Sequence, residues 1–401
     1  MSEFFWVSIG MNLLIMNYME TLSAGGINKT VRELAHILSI HGHNVTVLQS
    51  NPMKMQSAED INGYKIVRVM SHIEKYVYGF NPRLYQYLRN QLDNLKPDII
   101  HIHGYHTLCS LGTILTLKVV MKINTPIVFT AHFDPLNHNT LAGKLFGNIY
   151  DKFVGRKLLE YCDYIISVSQ FELGNLQKLS DLKNKCIIIP HGVDQINLRA
   201  ESNIQMQSDI IKLLYVGYLL EYKGVKYIIE ALNELVNNRK MRNIELMIIG
   251  EGECKIKLTK LAMRYKLNDN IIWKPFMPSR NVLDEMKRAD IFLLLSSSEG
   301  YGIVVAEALS LGIPTIVTKG TALEEFTNET GCFGVELPPN PIIVADLILY
   351  IMQNKIQVGP FSDKIRTWVQ IGEEYDKLFD NIKKSSQYSP SYDNACKMSL
   401  S

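Results

Sequence analysis

Two glutamates flank a glycine-rich turn in the segment 296–318, which reads SSSEGYGIVVAEALSLGIPTIVT. Glu299 precedes the turn, and Glu307 follows it inside a predicted helix. The turn glycines Gly300 and Gly302 let the backbone approach a ligand closely, and free N–H groups at a helix N-terminus suit a phosphate. Carboxylates beside an anion site are expected when they accept hydrogen bonds from hydroxyls. The segment therefore indicates a site for a sugar or a ribose.

The same segment predicts a strand, turn, helix and strand. Residues 291–298 are apolar and predict a strand, 303–311 predicts a helix, and 315–318 is a β-branched strand. Gly312 and Pro314 are typical of a helix end. This order of elements builds parallel sheets, so we expect an α/β fold.

These residues resemble the carboxylate signature of retaining glycosyltransferases of the GT-B fold, especially glycosyltransferase family 4 (glycosyl transferases group 1). The aromatic residue of the turn is Tyr301, where phenylalanine is commoner in the family. The resemblance implies that Glu307 binds ribose hydroxyls and that Glu299 binds hydroxyls of the donor sugar. It also implies that backbone N–H groups of Tyr301, Gly302 and Ile303 hold sugar and phosphate. The alternative is that the two acids only stabilise the helix macrodipole.

Length and composition indicate a globular protein with room for two domains. The chain has 401 residues, of which 47% are hydrophobic and 20% charged. A formal net charge of +2 gives no indication of nucleic-acid binding. The six cysteines lack C-x-x-C spacing, which argues against a zinc site and a disulfide scaffold and favours a reducing, cytosolic compartment. No apolar run approaches the roughly 20 residues that span a bilayer.

A second glycine-rich turn opens the first half. Gly25 and Gly26 lie between a predicted strand at 13–17 and a predicted helix at 28–41, which is typical of a Rossmann-like half. The alternative is a tight turn without a ligand. Residues 25–48 (GGINKTVRELAHILSIHGHNVTVL) resemble the opening segment of the family, which implies that both glycines lie beneath the donor phosphates.

Several histidines lie at predicted strand ends. His101 and His103 alternate onto one side of a strand, and His106 follows in the loop, so a metal site is one interpretation. The family resemblance implies no metal, because its Asp-x-x-His-x-His-Gly pattern recurs without one. His132 ends the strand predicted at 126–131, and such a position faces the ligand crevice of an open sheet. By resemblance it contacts the donor sugar near the anomeric centre; the alternative is a structural histidine.

The range 141–161 predicts an amphipathic helix with a basic face. One interpretation is a helix that rests on an anionic membrane surface, which would suit a lipid-linked acceptor. The other is a helix with an ordinary solvated charged face.

The second half repeats the order of strand, glycine and helix. A predicted strand at 212–216 leads to Gly217, Lys223 and a helix at 225–236. By resemblance, Gly217 and Lys223 belong to the donor site, and Lys223 meets the diphosphate. Tyr218 stands where the family usually has arginine, and the loss of a charge-assisted bidentate partner costs on the order of 1.5–3 kcal/mol. Either Lys223 and the helix N-terminus are enough to bind the diphosphate, another basic residue takes the place of the arginine, or catalysis is weakened.

The sequence thus predicts two Rossmann-like domains facing across a cleft (GT-B), with a C-terminal helix crossing back to the first domain. A polar linker is expected near 194–208. The predicted segments are an N-terminal extension (1–10), an acceptor-side domain (11–196), a donor domain (197–361), the crossover helix (362–384) and a disordered tail (385–401).

The resemblance implies retaining, metal-independent transfer of a sugar from a nucleotide-sugar donor to a hydroxyl of a glycan or lipid-linked acceptor. The UDP- or GDP-sugar is a co-substrate, and no cofactor is expected. The expected location is the cytoplasm, with the inner face of the membrane for a lipid-linked acceptor. The alternative function is a non-catalytic GT-B subunit that scaffolds or regulates a partner glycosyltransferase, and Tyr218 is the feature that favours it.

Overall fold

A computed structural model describes residues 10–19, 26–51, 56–70, 79–133, 147, 150–182, 185–194, 210–362 and 364–388. Over these residues the chain forms two sheets of mainly parallel strands with helices packed on them, which confirms the predicted α/β architecture. Among the described helices, none is long and apolar enough to cross a membrane.

The first half of the described chain forms an eight-stranded sheet. Its strands are β1 (Asn12–Met19), β2 (Asn44–Asn51), β3 (Ala58–Ile61), β4 (Tyr64–Met70), β5 (Ile99–His103), β6 (Ile127–Thr130), β7 (Tyr164–Ser167) and β8 (Cys186–Ile188). They lie in the order β3-β4-β2-β1-β5-β6-β7-β8. Only the β3–β4 pair is antiparallel among these described strands.

Helices cover both faces of this sheet. They are α1 (Gly26–Ile40), α2 (Pro82–Leu95), α3 (Leu108–Leu115), α4 (Arg156–Tyr161) and α5 (Gln170–Leu179), and wider helical turns at Thr116–Val120 and Asp151–Gly155 adjoin α3 and α4. Buried leucines of α2 and α4 pack on one face, whereas Val31, Leu34 and Leu38 of α1 pack on the other. The carboxyl edge of the sheet therefore stays open between the two helical layers.

The second half forms a six-stranded, fully parallel sheet within the described residues. Its strands are β9 (Ile211–Val216), β10 (Ile244–Ile249), β11 (Ile271–Lys274), β12 (Ile291–Leu294), β13 (Thr315–Thr318) and β14 (Cys332–Val335), in the order β11-β10-β9-β12-β13-β14. The helices are α6 (Val225–Asn233), α7 (Lys255–Arg264), α8 (Ser279–Met286), α9 (Ile303–Ser310), α10 (Pro341–Asn354) and α11 (Trp368–Tyr388). Wider turns at Glu234–Asn238 extend α6, and short 3-10 turns lie at Glu221–Lys223, Asn268–Asn270 and Ala322–Asn328.

The last helix, α11, crosses back to the first sheet, as predicted. A side-chain carbon added to Gly372 would lie 2.9 Å from Ile37, so α11 and α1 approach closely. Asp376 lies 2.5 Å from Nδ1 of His41 and 3.0 Å from Nε2 of His43. The chain therefore passes between the two sheets twice, once near residue 194 and once before α11.

The start of α11 differs from the prediction. The helix begins at Trp368 and not at residue 362, because Thr367 and Gln370 form a reciprocal capping box. The backbone N–H of Gln370 donates to Thr367 Oγ1 (3.3 Å), and the N–H of Thr367 donates to Gln370 Oε1 (2.9 Å).

Four other predicted segments need correction or lie at least partly outside the described residues. The tail predicted to be disordered from residue 385 is helical as far as Tyr388, and residues 389–401 lie outside the described part. β12 ends at Leu294 and not at residue 298, since the hydroxyl of Ser296 donates to the carbonyls of Tyr222 and Ser298 and turns the chain. Of the predicted basic helix at 141–161, the structure describes residue 147 and 150–161; most of the predicted linker also lies outside the described residues.

Candidate active site

The glycine-rich turn lies at the carboxyl end of β12 and leads directly into α9. Gly302 is the N-cap residue of α9 and has a φ of 96°, a value that glycine adopts without strain. A side-chain carbon at this position would also lie 2.4 Å from Leu323 Cδ2, so the leucine side chain would have to move to admit another residue. The helix therefore begins in the predicted place and directs its first N–H groups towards the turn.

Lys223 and Glu299 form an ion pair at this turn. Lys223 Nζ lies 2.5 Å from Glu299 Oε1, and both side chains are about one-seventh exposed (15% and 14%). Gly224 follows Lys223 with a φ of 71°, and a side-chain carbon there would lie 1.9 Å from the carbonyl oxygen of Leu295. This close approach of Gly224 to the segment after β12 brings the lysine to the glutamate.

Glu307 is buried on α9 and pairs with a lysine of the first domain. Its Oε1 contacts Nζ of Lys29 on α1, and the two side chains are only 7% and 11% exposed. Asp194, where the chain leaves the first domain, lies 3.6 Å from the same ammonium group. Lys29 therefore joins both halves of the protein at the predicted ribose site.

Burial and charge act against each other at this pair. Burial raises the pKa of Glu307, and Lys29 offsets that effect only in part. Burial lowers the pKa of Lys29, but Glu307 and Asp194 outweigh it and raise the pKa overall. Lys29 thus stays charged, and its charge favours the ionised form of the Glu307 carboxyl group.

His132 follows β6 with a φ of 49°, an uncommon backbone conformation for a residue with a side chain. Its Nε2 lies 3.0 Å from Nδ1 of His103, and its ring stacks on His191 at 5.4 Å between centroids. Burial lowers the pKa of His132 to about 3, so the imidazole is neutral at physiological pH. The site therefore contains a neutral imidazole held in place by its neighbours.

The first-domain histidines are arranged as the strand alternation predicts. The rings of His101 and His103 lie on the same side of β5, with centroids 4.1 Å apart. His106 instead contacts Tyr150 and Phe133, and its Nε2 lies 3.6 Å from Asp151. No group of three or more His, Cys, Asp or Glu side chains suited to hold a metal ion occurs among the described residues.

The other predicted residues lie on the two walls of the cleft. A side-chain carbon added to Gly26 would lie 3.6 Å from Ile303 Cδ1, so the start of α1 faces the start of α9. Gly217 follows β9, and Tyr218 beside it packs edge to face on Phe276 at 4.9 Å. Gly25, which was also predicted to bind the donor, lies outside the described residues.

These residues enclose a cavity of about 370 Å³ between the two sheets. Every predicted site residue within the described part of the chain lines it: Gly26, His132, Gly217, Lys223, Glu299, Tyr301, Gly302, Ile303 and Glu307. The cavity combines ammonium and helix N-terminal charge with acceptors for hydroxyls, so it suits a phosphorylated sugar.

Three further residues that line this cavity were not predicted. They are Lys29, Arg32 and His191. Lys29 lies three residues after Gly26 in the first turn of α1, which is a weak signal of proximity to the same ligand. His191 lies three residues after the end of β8, much as His132 lies after β6, and the rule for strand ends would have identified it.

Two facing parallel sheets with this cleft define the GT-B class of glycosyltransferases. The family model described as Glycosyltransferase Family 4 matches residues 24–195, and the model described as Glycosyl transferases group 1 matches residues 194–377. The chain therefore belongs to the GT-B glycosyltransferases of these families.

Individual relatives agree with this assignment. The alpha-monoglucosyldiacylglycerol synthase of Acholeplasma laidlawii is 26% identical over 362 residues, which cover 84% of this chain and 87% of that protein. Sucrose-phosphate synthase from Thermosynechococcus elongatus has a TM-score of 0.69 at 17% identity, covering 93% and 96% of the two chains. HepE of Anabaena, solved with UDP and glucose, has a TM-score of 0.66 at 14% identity, covering 94% and 98%. The two structures show the fold alone.

Proposed function

We propose that this protein transfers a sugar from a UDP- or GDP-sugar to a hydroxyl of a glycan or lipid-linked acceptor, with retention of configuration and without a metal. The observation that carries the proposal is the Lys223–Glu299 pair at the N-terminus of α9, in the same cavity as Glu307. These groups match the needs of a nucleotide sugar: a cation for diphosphate and carboxylates for hydroxyls.

Each group has a part in the transfer. Lys223 and the first N–H groups of α9 stabilise the negative charge that develops on the departing diphosphate. Glu299 and Glu307 accept hydrogen bonds from the donor sugar and the ribose. His132, as a neutral imidazole, contacts the sugar near the anomeric centre without repelling positive charge that develops there. The departing phosphate itself takes the acceptor proton, so we assign no protein nucleophile.

The relatives guide the choice of substrates. HepE was solved with UDP and glucose, which makes UDP-glucose the first donor to test. The synthase of Acholeplasma laidlawii is named for a glycosylated diacylglycerol, which favours a lipid acceptor in the first assays. A cytoplasmic location, at the inner face of the membrane for a lipid acceptor, is part of the proposal.

The test is donor binding and transfer with UDP-, GDP- and ADP-sugars, with and without a chelator. We expect one donor to bind, with no effect of the chelator, and the product anomer seen by NMR to match that of the donor. Lys223→Met should lower kcat by about 10²–10³-fold. Lys226→Met is a matched control that should leave kcat unchanged. Lys226 Nζ lies 3.7 Å from Glu230 Oε1 in a surface ion pair of the i,i+4 type.

The non-catalytic alternative makes the opposite prediction. Tyr218, which supplies no cationic charge to the donor side of the cavity, is the observation that favours it. A folded protein that binds none of the three donors would support this alternative and contradict the proposed transfer. Inversion of the anomeric centre, or loss of activity on chelation, would contradict the corresponding part of the mechanism.

A further inference from the structure

We infer that Lys29, from the first domain, is a positioning residue for the donor: it keeps the buried Glu307 carboxylate ionised and oriented to accept the ribose hydroxyls. This inference rests on the proposed function, since it assigns the ribose to Glu307. It adds a residue of the acceptor-side domain to the donor site.

The geometry supports a positioning role. Lys29 Nζ contacts Oε1 of Glu307, and both side chains line the cavity. Among the described residues, the side-chain contacts of this carboxylate involve Oε1, so Oε2 can accept hydrogen bonds from a ligand. Asp194, 3.6 Å from Lys29 Nζ, holds the ammonium group from another side. The lysine is thus fixed between two carboxylates, and Glu307 is fixed by the lysine.

The charges around Glu307 show why it needs this partner. Burial raises the pKa of Glu307, and two further acids, Asp194 and Glu33, raise it as well. Lys29 is the opposing charge among the groups that act on Glu307. Without the ammonium group, a nearly buried carboxylate would face two like charges, so its pKa would rise further and it would keep a proton up to a higher pH. A protonated carboxyl forms weaker hydrogen bonds to ribose hydroxyls than a carboxylate does.

The position of Lys29 also couples the donor site to closure of the cleft. Lys29 lies on α1, against the first sheet, whereas Glu307 lies on α9, against the second. A cleft that opens would separate the pair and weaken the ribose acceptor. The donor site is therefore complete only when the two sheets face each other as they do here.

The experiment is calorimetric titration with UDP, or with whichever nucleoside diphosphate the wild type binds, between pH 6 and pH 9. Lys29→Met should weaken binding by about 10-fold at pH 7. Binding by the Lys29→Met variant should recover as the pH rises, because the Glu307 carboxyl group then loses its proton. Lys29→Arg should restore most of the affinity and the flat pH profile. Lys257→Met, which removes an exposed lysine 2.8 Å from Glu221, is the control.

A double variant separates this role from direct phosphate binding. If Lys29 acts through Glu307, adding Lys29→Met to Glu307→Gln should weaken binding little further. A loss that is equal at every pH and persists in the Glu307→Gln background would overturn the inference and indicate a phosphate contact. Unchanged binding by Lys29→Met would also overturn it. Failure of the wild type to bind any nucleotide would instead count against the proposed function. Thermal unfolding of each variant shows that it is folded.

Discussion

The hydroxyl group of Tyr301 lies 3.2 Å from the backbone carbonyl oxygen of His191. It lies equally far, 3.2 Å, from the carbonyl oxygen of Lys364. These two carbonyls belong to the two segments by which the chain passes between the sheets, and Val193 and Thr367 pair as a parallel bridge just beyond them. The turn at the candidate donor site is therefore bonded to both crossings, through an oxygen atom that phenylalanine lacks.

Tyr301→Phe should destabilise the protein by about 1 kcal/mol, because a buried hydrogen bond to the crossings is lost while the ring still fills its space. Denaturant unfolding measures the change. Tyr350→Phe, on a ring 48% exposed at the surface of α10, should have almost no effect. An equal loss of stability in both variants would show that the hydrogen bonds of the Tyr301 hydroxyl do not stabilise the two crossing segments.

Replacement of Gly302 by alanine should destabilise the protein by at least about 1 kcal/mol and impair donor binding. The φ of 96° and the approach of Leu323 both disfavour a side chain at this position. Gly174→Ala is the matched control: Gly174 lies within α5, and a side-chain carbon there meets no atom within 4 Å. That variant should be stabilised by about 0.5–1 kcal/mol. Normal stability of Gly302→Ala would mean that the turn tolerates another conformation.

Acid should unfold the protein steeply below about pH 6.5. Burial lowers the pKa of His101 and His132 to about 3 and that of two neighbours, His103 and His191, well below the ordinary value of 6.5. The unfolded chain therefore binds more protons than the folded one between pH 6.5 and about 3. The free energy of unfolding should fall with decreasing pH over that range, by up to about 1.4 kcal/mol per pH unit for each histidine.

Urea unfolding at several pH values between 8 and 4.5 measures this dependence. In His132→Asn the free energy of unfolding should depend less steeply on pH, because one fewer proton is taken up on unfolding. A slope that is flat down to pH 5 would mean that these histidines are solvated or charged in the folded protein.

Tyr218→Arg should strengthen binding of a nucleoside diphosphate by about 10-fold, since a guanidinium group on this wall of the cavity would meet the phosphates. The gain should shrink as salt is added. Tyr218→Phe, which keeps the ring against Phe276, should change affinity little. If the arginine variant binds no better, the cations already present suffice for the diphosphate.

The donor side of the site could be predicted because its signals are local. Glu299, the turn and Glu307 belong to one strand-turn-helix unit, and the Gly302 cap sets their geometry within a few residues. Lys223 could be placed only by family resemblance. It reaches Glu299 because Gly224 packs against Leu295, and this contact between distant parts of the chain leaves no local pattern in the sequence. Their catalytic roles stay predictions.

Lys29 could not be assigned in this way. It is separated from Glu307 by 278 positions, and their contact exists only because α1 and α9 face each other across the cleft. The short edge strand β3 was also missed, because its sequence AEDI is polar and only its pairing with β4 makes it a strand. Both misses are contacts set by tertiary structure and not by local pattern.

The position of α11 has a consequence for how the protein folds during synthesis. Trp368, Ile371, Tyr375 and Phe379 are buried in the same core as α1, on one face of the first sheet. The ribosome produces this helix only after the whole second sheet. Until then this apolar face of the first sheet is covered by α1 but not by α11, so the nascent first domain should need a chaperone or the second domain beside it. A fragment that ends near residue 194 should aggregate, and supplying α11 as a separate peptide should rescue it.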